Sequence, residues 1–559
     1  MRDDLTDLEA SFEKWNETSV KKAKEKTPEL KPAYYSDSRI EIKPVYSPLD
    51  FRQSDYEKKL SFPGQFPYTR GIYPLMYRTR QYTMRHYSGW GAAEDTNRRW
   101  KYLLEHGETG LSLANDLPTQ MGFDPDDPLV EGEVGRVGAS ICNKEDYRVL
   151  YDGIPMDTTS ISLQANANSI FMVGFHYVEG MRRGLKPDQL WGTCQNDILK
   201  EFISRGTWIF PIKESVRVSC DVMEYAARNM GRWAPLSICS YHLQEAGADF
   251  ATSMAFSMCN AIEYIQELLR RGLNIDDFAY FISTWDISCN INFFEMIYGM
   301  RASRRLWARL LKEKYHAKDP KSWMMRIFVG SGGIQMTRAE PINNIVRGTI
   351  SAIAAALAGV QSINIQCYDE SYSIPTEEAQ RVALRTEQIV ADETDIMSTV
   401  DPLGGSYFIE SLTDQIEKKM EEIIDNVLGM GGALEAIKSG YMQRIITSQS
   451  YRRQRSIESG ELVRVGENKF QAESFEPIPE FQIDPRTEKN VVKRLGEFKK
   501  TRNATQLNSA LSNLKLGCQK ENENLMPHVL RAISAGATVG EMASAMKQIM
   551  GEGREVVLL

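Results

Sequence analysis

The chain has 559 residues, 42% of them hydrophobic and 25% charged, enough to bury a large core in a barrel with something smaller beside it. A net charge of −8 excludes a basic footprint for nucleic acid, so an anionic ligand needs a local cluster of arginines. No run of 18 apolar residues and no N-terminal apolar signal core occurs, and a cytoplasmic protein without membrane spans is expected.

Residues 1 to about 45 are charged and Lys-rich. EASFEKWNETSVKKAKEK reads as an exposed helix, and Pro32 and PVYSPLD break it, giving an N-terminal arm. From 46 to 400, short apolar runs alternate with helical stretches. The strand-like runs cover 83–89, 111–116, 160–166, 191–195, 236–242, 278–284, 325–331 and 361–367. Eight β-then-α units predict an α/β fold, a (β/α)₈ TIM barrel. A doubly wound open sheet is the alternative, but no G-x-G-x-x-G follows a strand. Residues 401–559 read as a mostly helical region. TDQIEKKMEEIIDNVL sets Ile416, Met420, Ile423, Ile424 and Val427 on one face, and Thr538 with Glu541 forms a capping box opening the final helix.

The eight cysteines form no CxxC pair, and buried reduced thiols are expected. No second His or Cys stands at ligand spacing, so no metal site is expected in this chain. Nucleophile elbows and Walker sequences are absent. The densest feature is YPLMYRTRQYTMRHYSGWG, residues 73–91. Arg78, Arg80 and Arg85 lie among Tyr73, Tyr77, Tyr82 and Tyr87. Arginine forks grip phosphate and carboxylate, and tyrosines bring flat faces with one polar tip. A solvated basic edge with ordinary aromatic packing is the bland alternative. The polar residues Tyr87, Gln195, His242, Ser283 and Gln366 fall at strand ends, where a barrel keeps its chemistry, although polar residues end strands in any case.

YPLMYRTRQYTMRHYSGWGAAEDTNRRW…LSLANDLPTQMGFDPDDP, GTCQNDILKEFISR, LSICSYHLQEAGA, NNIVRGTISAIAAALAGVQS and DPLGGSYFIESLT, in this order, resemble the methylmalonyl-CoA mutase family. The resemblance runs from about residue 46 to ATVGEMASAM. It implies a barrel threaded by the pantetheine arm of coenzyme A and a radical carbon-skeleton rearrangement with adenosylcobalamin. By position it implies Tyr87, Arg205 and His242 as catalytic: beside the migrating acyl group, on a free carboxylate of the substrate and on the thioester carbonyl. Tyr73, Met76, Arg80, Thr83, Arg85, Asn115, Gln195, Arg232 and Ser283 take substrate-binding positions. Gly330, Gln361, Gln366 and Glu370 take positions near the adenosyl group. Keeping both Tyr87 and Arg205 implies a dicarboxylyl-CoA substrate, since an unpaired buried arginine is costly.

Departures from the family pattern occur at Leu75, Asn115, Phe281 to Ser283, Gly330 and Asn364 to Cys367. Asn115 and Gly330 replace larger residues, which implies room for an alkyl or aryl substituent bulkier than methyl. Methylmalonyl-CoA mutase proper and a non-catalytic scaffolding paralogue remain alternatives. The resemblance also places the cobalamin-binding D-x-H-x-x-G motif, absent here, on a separate small subunit supplying the axial histidine. The chain stops where a fused domain would begin, and a heterotetramer of two large and two small subunits is expected.

Overall fold

The computed structural model describes residues 2–28, 32–51, 56–475 and 477–554. Positions 1 and 29–31 of the expected arm, and the last five residues, lie outside the described residues. Among the described residues nine short strands form two parallel arcs. One arc runs β2 (Leu111–Leu113), β3 (Ile161–Leu163), β4 (Gly192–Cys194), β5 (Trp233–Ala234). The other runs β1 (Thr83–Met84), β9 (Ser362–Asn364), β8 (Arg326–Ser331), β7 (Thr284–Cys289), β6 (Ser237–Cys239). β5 and β6 are one strand path interrupted at Pro235, which has no N–H to give the ladder. Backbone hydrogen bonds cross both seams: Thr109 and Ala114 donate to Met84 and Ser88 at 3.1 and 2.9 Å, and Ser237 donates to Gln195 at 3.0 Å. Each of the eight strand paths is followed by a helix, from Ala93–Glu105 after β1 to Glu377–Asp392 after β9. This is the (β/α)₈ arrangement.

The alternation along the strands decides what the barrel contains. Leu111, Leu113, Ile161, Leu163, Ile238, Trp285, Ile287, Val329 and Ile363 are buried in the hydrophobic core. Their alternates Ser162, Thr193, Ser237, Thr284 and Ser362 line an open axis. A barrel interior is ordinarily filled by bulky branched side chains. Here small hydroxyl residues leave a channel and supply hydrogen-bonding groups along it.

The sixth expected strand is a helix. Ile275–Ile282 is α-helical, opened by a capping box between Asn274 and Asp277. Its buried residues Ile275, Phe278, Ala279 and Ile282 follow helical spacing, and the strand starts after them at Thr284. Except for β8, which ends at Ser331 as expected, the other strands end earlier than their apolar runs. His242 consequently sits in the short helix Tyr241–Glu245 rather than on a strand.

The described part of the N-terminal arm is helical over Arg2–Trp15, with no buried residue from Asn16 to Lys26. Tyr407–Gly429 buries Ile416, Met420, Ile424 and Val427, while Ile423 packs at the edge of the same core. This helix packs on the barrel helices Phe250–Arg270 and Phe293–Arg309. Thr538 accepts from the Glu541 backbone and forms the expected capping box. Arg301 is fully buried and pairs with Asp401 and, at 2.5 Å, with Glu410. Glu410→Ala leaves that guanidinium with one partner; urea unfolding is expected to show a loss of about 3 kcal/mol.

All eight cysteines are free and buried. Among the described residues no helix is long and apolar enough to cross a membrane, and no His, Cys, Asp and Glu cluster suits a metal ion.

Candidate active site

Two cavities lie end to end along the barrel axis, sharing Gln164, Asp286 and Phe328 as walls. The lower one, about 440 Å³, opens among the N-terminal ends of the strands. Tyr73, Met76, Arg80, Thr83, Arg85 and Gln361 line it. Gln361 faces this lower end, away from Glu370 and Gln366. Its amide is used by backbone, accepting from Ile327 N at 2.8 Å and donating to Gly359 O at 3.1 Å. Arg232 is exposed at the rim, its guanidinium 4.8 Å over the ring of Trp191, itself a lining residue. Arg326 adds a cation that the sequence reading missed. It begins β8, lines the cavity, stacks on Tyr280 at 4.3 Å and leaves its Nε without a partner. Its signal, a lone Arg opening a strand, is visible only once neighbouring strands are placed.

The upper cavity, about 350 Å³, gathers Tyr87, Gln195, Arg205, His242, Gly330, Gln366 and Glu370. Apolar walls come from Phe328, Ile365, Cys367, Ile374 and Pro375. Besides Arg232 at the rim, two expected site residues stand outside both cavities. Asn115 is buried beside Ala139, its amide 3.4 Å from that carbonyl. Ser283 closes the helix before β7, donating to Ala279 O at 2.6 Å and accepting from Trp307 at 3.2 Å. The displaced strand explains Ser283: it precedes β7, whose inward residues are Thr284 and Asp286.

Local structure sets each group. Tyr87 lies just past β1, its N–H held by Asn364 Oδ1 at 3.0 Å, with 43% of its surface open to the cavity. Enclosure pushes its phenol up against the opposing charge of Arg205. Arg205 ends the turn Glu201–Arg205, which Gly206 stops at φ 85°, a conformation suited to glycine. Its guanidinium is not unpaired, as the sequence argument supposed. Glu201 Oε1 stands 3.4 Å away and Thr207 Oγ1 at 3.3 Å, with 26% of the side chain open. These contacts are long, so the fork can still take a bidentate anion.

Lys200 is fully buried, with Nζ 2.7 Å from Glu201 Oε1, 3.0 Å from Gln195 Oε1 and 2.8 Å from His242 Nδ1. Burial opposes the Glu201 charge, but Lys200 and Arg205 outweigh it and keep that carboxyl below its usual range. Burial, Lys200 and Arg205 together hold the His242 imidazole well below its own, so it is neutral. Gln195 accepts from Asn166 at 2.8 Å and donates to Asp286 Oδ2 at 2.8 Å. Burial raises Asp286 to about 6, and its Oδ1 has no partner. Lys200 and Asp286 carry no distinctive sequence signal; one lies in a helix and the other in an apolar strand.

Gly330 does not leave a void. The Tyr241 ring lies against it, and a Cβ built there would stand 2.8 Å from Tyr241 Cε2. Gln366 Nε2 holds the Tyr241 hydroxyl at 2.7 Å. Gly330→Ala is expected to displace the ring and cost about 1–3 kcal/mol, read by urea unfolding.

Glu370 lines the cavity mouth, and no described residue donates to its carboxyl. Burial, then Glu245 and Asp369, raise it to about 7. A carboxyl raised on folding takes up its proton as the chain folds. Its stabilising share is complete below about 4.5, the unfolded value, and is lost as pH rises through 7. Thermal unfolding at pH 5 to 8 is expected to show a shallower decline in Glu370→Gln.

A barrel with a cation-rich lower channel leading to an enclosed upper pocket of Tyr, His and Arg defines an enzyme for a long anionic ligand whose reacting end is small. Comparison with known proteins gives that class its identity. A family model described as methylmalonyl-CoA mutase matches residues 35–552, and the chain belongs to that family. The 2-hydroxyisobutanoyl-CoA mutase large subunit of Aquincola tertiaricarbonis is 35% identical over 554 residues, 98% of this chain and 97% of that one. The methylmalonyl-CoA mutase of Rhizobium meliloti (strain 1021) is 37% identical over 93% of this chain and 72% of its own length. The human mitochondrial methylmalonyl-CoA mutase is 37% identical over 96% and 71%. The chain is an acyl-CoA mutase, an isomerase.

Proposed function

We propose that the chain is the substrate-binding subunit of an adenosylcobalamin-dependent mutase interconverting a substituted malonyl-CoA with a substituted succinyl-CoA. The carrying observation is Arg205, open to the upper cavity with only long contacts at 3.3 and 3.4 Å, beside Tyr87 and His242. Glu201 is shared between Lys200 at 2.7 Å and Arg205 at 3.4 Å, and its shorter contact is with Lys200, so the Arg205 fork can take a second carboxylate. The apolar walls Phe328, Ile365, Ile374 and Pro375 suit an alkyl or aryl substituent larger than methyl.

In this reading the coenzyme A arm lies in the lower channel, with Arg80, Arg85 and Arg326 on its anionic groups and Tyr73 against flat ones. His242 donates to the thioester carbonyl and Arg205 fixes the free carboxylate, so the migrating group has one orientation. Tyr87 closes the pocket over it, and the enclosing walls keep solvent from a reactive intermediate. Adenosylcobalamin, when bound at the upper mouth, supplies the radical that starts the rearrangement. The unpartnered Glu370 carboxyl there is a suitable acceptor for a nucleoside hydroxyl. A separate small subunit, in a complex of two large and two small chains, would supply the histidine that completes the cobalamin site. Support for that partner is the relative described as a large subunit, which the chain matches over 97% of its length.

The test mixes the chain, a small cobalamin-binding subunit and adenosylcobalamin with dicarboxylyl- and monocarboxylyl-CoA thioesters. Turnover of alkyl- or aryl-substituted dicarboxylyl-CoA supports the reading. Turnover confined to isobutyryl- or 2-hydroxyisobutyryl-CoA overturns it.

A further inference from the structure

We propose that Lys200 is a positioning residue that holds His242 as the tautomer carrying its proton on Nε2, so that the imidazole presents a hydrogen-bond donor to the upper cavity. An ammonium has three N–H groups and no acceptor. Buried Lys200 meets three acceptors: Glu201 Oε1 at 2.7 Å, Gln195 Oε1 at 3.0 Å and His242 Nδ1 at 2.8 Å. Every proton is used and none is left for solvent. His242 Nδ1 can serve as the third acceptor only with its lone pair bare.

The other neighbour of that nitrogen is compatible with this tautomer. Cys239 Sγ lies 3.2 Å from Nδ1, and its thiol proton can point to the bare lone pair or to Asp286 Oδ2, 3.8 Å away. Two cations, Lys200 and Arg205, oppose a second proton on the ring. A neutral imidazole with a bare Nδ1 has its proton on Nε2. The donor is thus fixed before any ligand arrives, and it polarises a carbonyl without handing over a proton.

Lys200 orients a second cavity residue in the same way. With Lys200 and Asn166 both on Gln195 Oε1, the Gln195 amide nitrogen is turned to Asp286 Oδ2 at 2.8 Å. One buried ammonium therefore sets the donor and acceptor pattern of two cavity side chains.

That the polarised carbonyl is a thioester's rests on the function proposed above; the tautomer does not. The first arm therefore reads this chain alone. The full chain is labelled with ¹⁵N-histidine, and its six histidines are resolved by ¹H–¹⁵N long-range NMR, with His242→Ala identifying the signal. The expected spectrum has a protonated Nε2 and a bare Nδ1 at His242, and a tautomer mixture in Lys200→Met. A protonated Nδ1 in the unsubstituted chain overturns the proposal, and that result needs no variant to fold. Lys200→Arg, which carries donors and no acceptor, is expected to retain the Nε2 tautomer; a mixture there overturns the claim that a donor is what matters.

The second arm uses the complex with the small subunit and adenosylcobalamin. Lys200→Met is expected to lower turnover on the order of 10-fold, the scale for the outer partner of a functional imidazole. In the His242→Ala background the same substitution is expected to cost clearly less, because only its hold on Gln195 is then left to lose. An equal loss in both backgrounds makes Lys200 merely structural and overturns the proposal. If the unsubstituted complex turns over no acyl-CoA, the functional reading fails while the spectrum still decides the tautomer.

Discussion

Arg205→Gln is expected to lower kcat/KM for a dicarboxylyl-CoA by roughly 10²- to 10³-fold, the loss of one enclosed charge pair with the substrate. Folding should survive the change. The side chain is 26% open, and Glu201 keeps Lys200 at 2.7 Å and its bond to Thr207. The loss should fall on dicarboxylyl substrates alone, because the glutamine still fits a neutral acyl end. Kinetics with a matched dicarboxylyl and monocarboxylyl pair, beside circular dichroism of the variant, checks it. Equal losses for both substrates would show that Arg205 shapes the pocket rather than reading a carboxylate.

His242→Ala is expected to lower kcat on the order of 10²-fold while leaving acyl-CoA binding largely intact. The donor matters most when charge builds on the carbonyl, in an enclosed site where water cannot replace it. Removing the ring leaves the Lys200 ammonium with Glu201 and Gln195, so the buried cation stays paired. Single-turnover kinetics with calorimetric binding of an unreactive acyl-CoA separates the two effects. A fall in affinity with unchanged kcat would refute the role. If the lysine sets the tautomer, His242→Gln recovers part of the rate, since the glutamine carbonyl can accept from Lys200 and its amide can donate.

Much of this site is legible in sequence because the barrel maps strand ends to chemistry. The run from Tyr73 to Tyr87 spans both cavities as the chain enters and leaves the first strand, so its arginines and tyrosines announce a long anionic ligand before the fold is known. His242 and Arg205 come with motifs long enough to place them. What failed did so for local reasons. Ile275–Ile282 is apolar and aromatic enough to pass for a strand, yet its buried positions follow helical spacing and Asn274 caps it. That error shifted the sixth strand and hid Asp286. Asn115 and Gly330 were read as removed bulk, but packing decides where removed bulk goes. Asn115 lies outside both cavities, and the Tyr241 ring lies against Gly330.

Sequence by itself determined the βα order of the barrel and seven of its eight strand positions, because apolar runs alternate with helical stretches. It determined too the supply of Arg, Tyr and His at the strand ends. Only the tertiary structure decided which of those groups face one another. The three acceptors of Lys200 come from its own helix, the end of β4 and the turn after β6. A tautomer, a paired rather than naked Arg205 and a filled rather than empty Gly330 site are all relations between strands. A local pattern does not encode them, because strands and turns separated by dozens of residues must first be brought within hydrogen-bond distance.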